Sequence, residues 1–141
     1  KTNLDQNDYD YKIYQLLIEN EAFYNCSSLT DFIVPAIIEK IGKKAFMNCT
    51  KLKHFEIDND DHLCFLYSIG ESSFKNCVSL EKISFLTEAA YIGIGNSAFM
   101  NCSNLQDVSI NGRCLYNIDF RAFYNCVSLV NFKFTHYNYF Y

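Results

Sequence analysis

The sequence predicts a repeat solenoid, mainly β with short helical (3₁₀ or α) turns and parallel stacked coils, and two observations carry that prediction. One phrase of eight residues comes round five times, and each return is followed by the same alternating apolar run. The phrase reads Ala22-Phe23-Tyr24-Asn25-Cys26-Ser27-Ser28-Leu29 in its first copy and Ala45-Phe46-Met47-Asn48-Cys49-Thr50-Lys51-Leu52 in its second. It returns from Ser73 to Leu80, from Ala98 to Leu105 and from Ala122 to Leu129. From Phe to Phe the steps are 23, 28, 25 and 24 residues, a period typical of stacked supersecondary units.

Each part of the repeat has a physical reason. Phe23 and Cys26 lie about one turn apart, so a short helical turn would aim both inward. The runs Leu29-x-x-Phe32-x-Val34, Leu52-x-x-Phe55-x-Ile57 and their three later counterparts alternate as strands with one face buried. An aliphatic–glycine pair, Ile41-Gly42, Ile69-Gly70 or Ile94-Gly95, precedes three of the copies, and its glycine is expected to allow a tight or positive-φ bend. One copy is then one coil, with the strand on one side and a return segment and turn on the other. No coil can bury its apolar side alone, so stability comes from stacking. Residues 1–141 read as a single domain: 1–21 a degenerate N-terminal capping repeat, 22–134 five repeats, and 135–141 an aromatic C-terminal end strand. The return segments differ most in length, and the longest, Asp58 to Cys64, is expected to bulge as a loop.

Composition narrows the function. Half of the 141 residues are hydrophobic and 17% aromatic, which supports a packed core rather than disorder. The formal net charge is −4 with no cluster of basic residues, so neither nucleic acid nor an anionic membrane finds an electrostatic footprint. No apolar run approaches the roughly 18 residues of a membrane span. Five of the seven cysteines, Cys26, Cys49, Cys77, Cys102 and Cys126, hold one position of the repeat. In a column their side chains point the same way, whereas a disulfide needs Cβ vectors directed toward each other. They read as a ladder of buried thiols acting as small hydrophobes, with Cys64 and Cys114 in the variable loops.

The full phrase, Ile41-Gly42-Lys43-Lys44-Ala45-Phe46-Met47-Asn48-Cys49-Thr50-Lys51-Leu52-Lys53-His54-Phe55-Glu56-Ile57, resembles the BspA-like leucine-rich repeat. The resemblance covers residues 18–134 and departs from the family where Glu19 and Asp119 replace the glycine and where only Pro35 follows a strand. It implies a horseshoe-like or flattened solenoid and an adhesion or protein-recognition role at a bacterial or protist surface, without catalysis. Secretion or a cell-surface location follows from the resemblance, while unpaired thiols would also fit the cytoplasm.

By alternation the outward strand positions are Asp31 and Ile33, His54 and Glu56, Lys82 and Ser84, Asp107 and Ser109, and Asn131 and Lys133. Their mixture of charges and small polar groups makes them the candidate protein-binding face, and a solvated sheet face would look the same. The acidic run Asp58–Asp61 lacks a glycine at its sixth position and a glutamate at its twelfth, so a solvated turn is expected rather than a calcium loop. His62 and Cys64 lack the orienting third group of a nucleophile–base pair. No metal, cofactor or catalytic site is expected. Asn25, Asn48 and Asn101 head glycosylation triplets, but the same Asn recurs in all five copies. Side-chain hydrogen bonds to the backbone of adjacent coils, with the Asn inside, are the expected reason, and no glycan is expected. The partner is expected to be a protein, from a host or a second copy. The aromatic C-terminal edge raises end-to-end assembly into dimers or filaments as an alternative, and the thiols raise an intracellular scaffold as another.

Overall fold

The computed structural model describes residues 16–35, 37–58, 64–87, 89 and 91–136. Five coils stack and wind two parallel five-stranded sheets, with the pairing register shifting by one residue between Leu16 and Leu17 and between Ile92 and Gly93. One sheet holds β1 (Leu16–Ile18), β3 (Ile38–Ile41), β5 (Ser68–Ile69), β7 (Ile92–Ile94) and β9 (Leu115–Ile118), in that order. The other holds β2 (Asp31–Pro35), β4 (His54–Asp58), β6 (Lys82–Leu86), β8 (Asp107–Gly112) and β10 (Asn131–His136). The second sheet is the alternating run read from the sequence. The first is the return segment, which forms strands of its own.

Between the sheets the repeat positions line up in file. Phe23, Phe46, Phe74, Phe99 and Phe123 stack with ring centroids 5.0, 5.1, 5.2 and 5.2 Å apart and planes within 7°. That spacing follows the separation of neighbouring strands, about 4.7–4.9 Å, and sets the rings in offset stacks. Phe55 packs edge-on against both Phe46 and Phe74 at 5.4 and 5.0 Å. The phrase leucines Leu52, Leu80 and Leu105 and the cysteines Cys49, Cys77 and Cys102 have no exposed surface. The core is continuous from coil to coil.

The turn that carries Phe and Cys corrects the expected helical geometry: no residue among those described is in an α- or 3₁₀-helix. In the first coil, Ala22, Tyr24 and Cys26 donate N–H to the carbonyl three residues back, while Glu21, Phe23 and Asn25 donate to Lys43, Ala45 and Met47 of the next coil. Alternate amides thus face along the stack, which a helix forbids. The geometry needs two left-handed residues per coil, and these are Glu21 and Asn25 at φ 59° and 60° and their equivalents in every later coil. Asparagine tolerates that region better than other residues with a Cβ, which accounts for its place in all five copies.

The glycines do another job than the one expected. None has positive φ. A Cβ on Gly42 would lie 2.6 Å from the backbone nitrogen of Asn20, and one on Gly70 would lie 2.7 Å from the carbonyl carbon of Gly42. Glycine is required there because consecutive coils touch backbone to backbone. In the loop expected to bulge, residues 59–63 lie outside those described, but Cys64 is buried, with 2% exposure. It belongs to the core and not to a solvent loop. Most of the expected cap, 1–21, and of the expected end strand, 135–141, also lies outside the described residues.

Candidate functional site

The outer face of the second sheet is where the ten candidate residues converge. Strand register places Asp31 beside His54, His54 beside Lys82, Lys82 beside Asp107 and Asp107 beside Asn131 in one row. A parallel row takes Ile33 beside Glu56, and Ser84 beside Ser109 beside Lys133. Asp107 and Ser109 are half-buried rather than fully outward, and the Asn131 amide donates to the Asp107 carboxylate. The other eight side chains are exposed. Ile33 stands out as an apolar group on a polar face, with 67% exposure.

Two shallow depressions adjoin on this face. One of about 250 Å³ is lined by His54, Glu56, Lys82 and Ser84 with the backbone of β4 beneath. The other, about 200 Å³, is lined by Asp31, Phe32, Ile33, His54 and Glu56. His54 and Glu56 border both. The pair offers a cation beside an anion, the Ser84 hydroxyl on one flank and the exposed Ile33 on the other. Such a surface suits polar contacts around an apolar anchor. Among the described residues no three His, Cys, Asp or Glu side chains gather to hold a metal ion. The rest of the acidic run after Asp58, and His62, lie outside the described residues.

The asparagine column corrects the expected backbone bonding. Each amide donates to the side-chain oxygen of the preceding coil: Asn48 to Asn25 and Asn76 to Asn48 at 2.7 Å, Asn101 to Asn76 at 2.8 Å and Asn125 to Asn101 at 3.1 Å. The column runs along a corner of the solenoid, exposed at Asn25 and Asn125, and not inside it. The cysteine column does more than fill space. Cys49, Cys77 and Cys102 each donate Sγ–H to the phenylalanine carbonyl of the coil before, at 3.1 Å. All seven cysteines are free, and Cys114 is exposed. Burial pushes the Cys49 and Cys126 thiols up to about 11, with the neighbouring Cys26 adding to the effect at Cys49. Burial and then the adjacent cysteines raise Cys77 and Cys102 as well. A thiol held neutral is a poor nucleophile, so this column is structural.

One surface feature was not anticipated. Tyr67, Tyr91 and Tyr116 form an exposed row on the first sheet's side, ring centroids 6.4 and 5.9 Å apart. The signal was present: each tyrosine stands two or three residues before the isoleucine that ends its return strand.

A recurring coil, two parallel sheets and in-file ladders of Phe, Asn and Cys define a leucine-rich-repeat solenoid. The chain belongs to the BspA-type leucine-rich repeat family: the family model described as "BspA type Leucine rich repeat region (6 copies)" matches residues 17–140. Among solved structures it is similar to a leucine-rich repeat protein of T. pallidum, with 31% identity and a TM-score of 0.64 over 81% of this chain and 50% of that one. It is also similar to a leucine-rich cell surface protein of Faecalibacterium prausnitzii A2-165, with 31% identity and a TM-score of 0.70 over 84% of this chain and 29% of that one. The chain therefore spans half or less of the length of these relatives. No curated protein matches it. No helix among the described residues is long and apolar enough to cross a membrane.

Proposed function

We propose that the chain is a non-enzymatic protein-binding module that engages its partner through the outer face of the second sheet. The observation that supports this reading most is the pair of adjoining depressions sharing His54 and Glu56, with Ile33 exposed at their edge. An exposed apolar group ringed by charge is what a small binding patch offers, while scattered polar residues alone would need no partner. Family membership fits protein recognition, and the Faecalibacterium relative is described as a cell surface protein, so a partner met at a surface is the natural candidate.

The test places a photocrosslinker at Ser84 and, separately, at Lys40 on the opposite sheet. The Ser84 probe should capture a partner protein, and the capture should fail in a Glu56→Lys, Lys82→Glu double variant that retains its circular dichroism. Equal capture from Lys40, or capture insensitive to the double variant, would move the binding role away from this face.

A further inference from the structure

The second sheet opens between β4 and β6. Building on the binding role proposed for this face, we infer that the opening receives a short extended segment of the partner protein, main chain first. β2 pairs with β4 at five positions, Asp31–Pro35 with His54–Asp58, and β6 pairs with β8 at five, Lys82–Leu86 with Asp107–Asn111. Between β4 and β6 only His54 and Lys82 pair. Past that pair, the facing sides of the two strands are edges inside a sheet. Such edges are templates for another chain, because main-chain donors and acceptors without a protein partner are left to water or a ligand. The depression of about 250 Å³ occupies this opening. Phe55 and Ile57 line it, yet their side chains are buried, at 2% and 7% exposure, so what they present there is backbone. Elsewhere the same two coils stay in contact. Phe46 and Phe74 stack at 5.1 Å, and on the first sheet Lys40 pairs with Ser68 and Ile41 with Ile69. The opening is local to the second sheet.

The rim selects the occupant. The space is smaller than the roughly 300–1,000 Å³ of pockets that enclose small ligands, and a strip of peptide backbone laid against a strand suits it better. Lys82 and Glu56 flank it with opposite charges, both exposed, and neither is ion-paired among the described residues. His54 and Lys82 stand level across the two strands, while Glu56 and Ser84 stand two residues further along. An extended peptide presents side chains on one face with the same period of two. An acidic residue and a basic residue two apart would therefore meet Lys82 and Glu56 together, as opposite charges on neighbouring strands do. A folded surface, by contrast, offers its main chain to no strand edge unless it brings an edge of its own.

Fluorescence anisotropy and hydrogen exchange test this with two synthetic peptides, Thr-Val-Glu-Ser-Lys-Val-Thr and Thr-Val-Lys-Ser-Glu-Val-Thr, which differ only in the order of their charges. One order should bind about tenfold more tightly than the other and should slow exchange along the facing edges, within residues 55–57 and 83–85. N-methylation of its central serine removes a main-chain donor and should weaken binding by about tenfold. In the Glu56→Lys, Lys82→Glu double variant, with unchanged circular dichroism, the preference should pass to the other peptide. Equal binding of the two orders, binding indifferent to N-methylation, or exchange unchanged at the opening would each overturn the inference. Capture of a partner from Ser84 with no binding of either peptide would overturn this inference alone, whereas loss of both would overturn the binding role of the face with it.

Discussion

Ser73 stands where the other four copies of the phrase have alanine, and its hydroxyl is buried without a hydrogen-bond partner. An unpaired buried polar group costs about 1–3 kcal/mol, so Ser73→Ala is expected to stabilise the protein by about 1 kcal/mol, read as a higher urea midpoint with an unchanged slope. Asn76, at φ 63°, both donates and accepts in its column. Asn76→Ala should therefore cost about 1–2 kcal/mol through the left-handed backbone alone, plus the two lost bonds. Asn76→Gly should lose the bonds but not the backbone term, so the difference between the variants measures the strain. The recurrence of this Asn was plain in the sequence, but its reason was not. A left-handed φ leaves no periodic trace, and a side chain that bonds its own equivalent one coil away looks, on paper, like any recurring polar position.

At the scale of an element, Phe74 is the middle ring of the stack and touches Phe46, Phe55 and Phe99 at 5.0–5.2 Å. Phe74→Ala is expected to cost about 3–5 kcal/mol, measured by chemical denaturation. The thiol column adds a pH dependence whose sign is fixed by burial. The folded values of Cys49, Cys77 and Cys126 lie above the ordinary 9.0, so the folded state holds protons that the unfolded chain releases. Their contribution is complete below pH 9 and is lost as pH rises toward and past about 11. Cys77→Ala should flatten the fall in urea midpoint between neutral and strongly alkaline pH, and an equal fall in both proteins would exclude the column as its source. The strands of the second sheet were legible because five residues of alternation suffice to show a face. The return strands were not, because β5 is only the two residues Ser68–Ile69 and the others reach four at most. A strand that short has no period to read, and its pairing comes from the register of the coil above and below.

For the whole molecule, the stacking order and the direction of the candidate face were both in the sequence, the first through the recurring phrase and the second through alternation. What it did not carry was the shape of that face, because the depression between β4 and β6 lies where the two strands pair only at His54 and Lys82, and alternation along a strand says nothing of where its pairing to a neighbour lapses. One consequence concerns length. Successive coils differ by little more than a shift along one axis, with rings kept within 7° of parallel. Excising Phe46 through Ser73, the 28 residues of one winding, joins Ala45 to Phe74 and leaves an uninterrupted Ala-Phe-Lys-Asn-Cys. The shortened chain should fold with a similar circular dichroism spectrum and a lower urea midpoint, whereas cutting half that stretch should abolish cooperative unfolding. Whole windings can then be added or dropped as units, and a lineage can lengthen or shorten such a protein without redesigning a single joint.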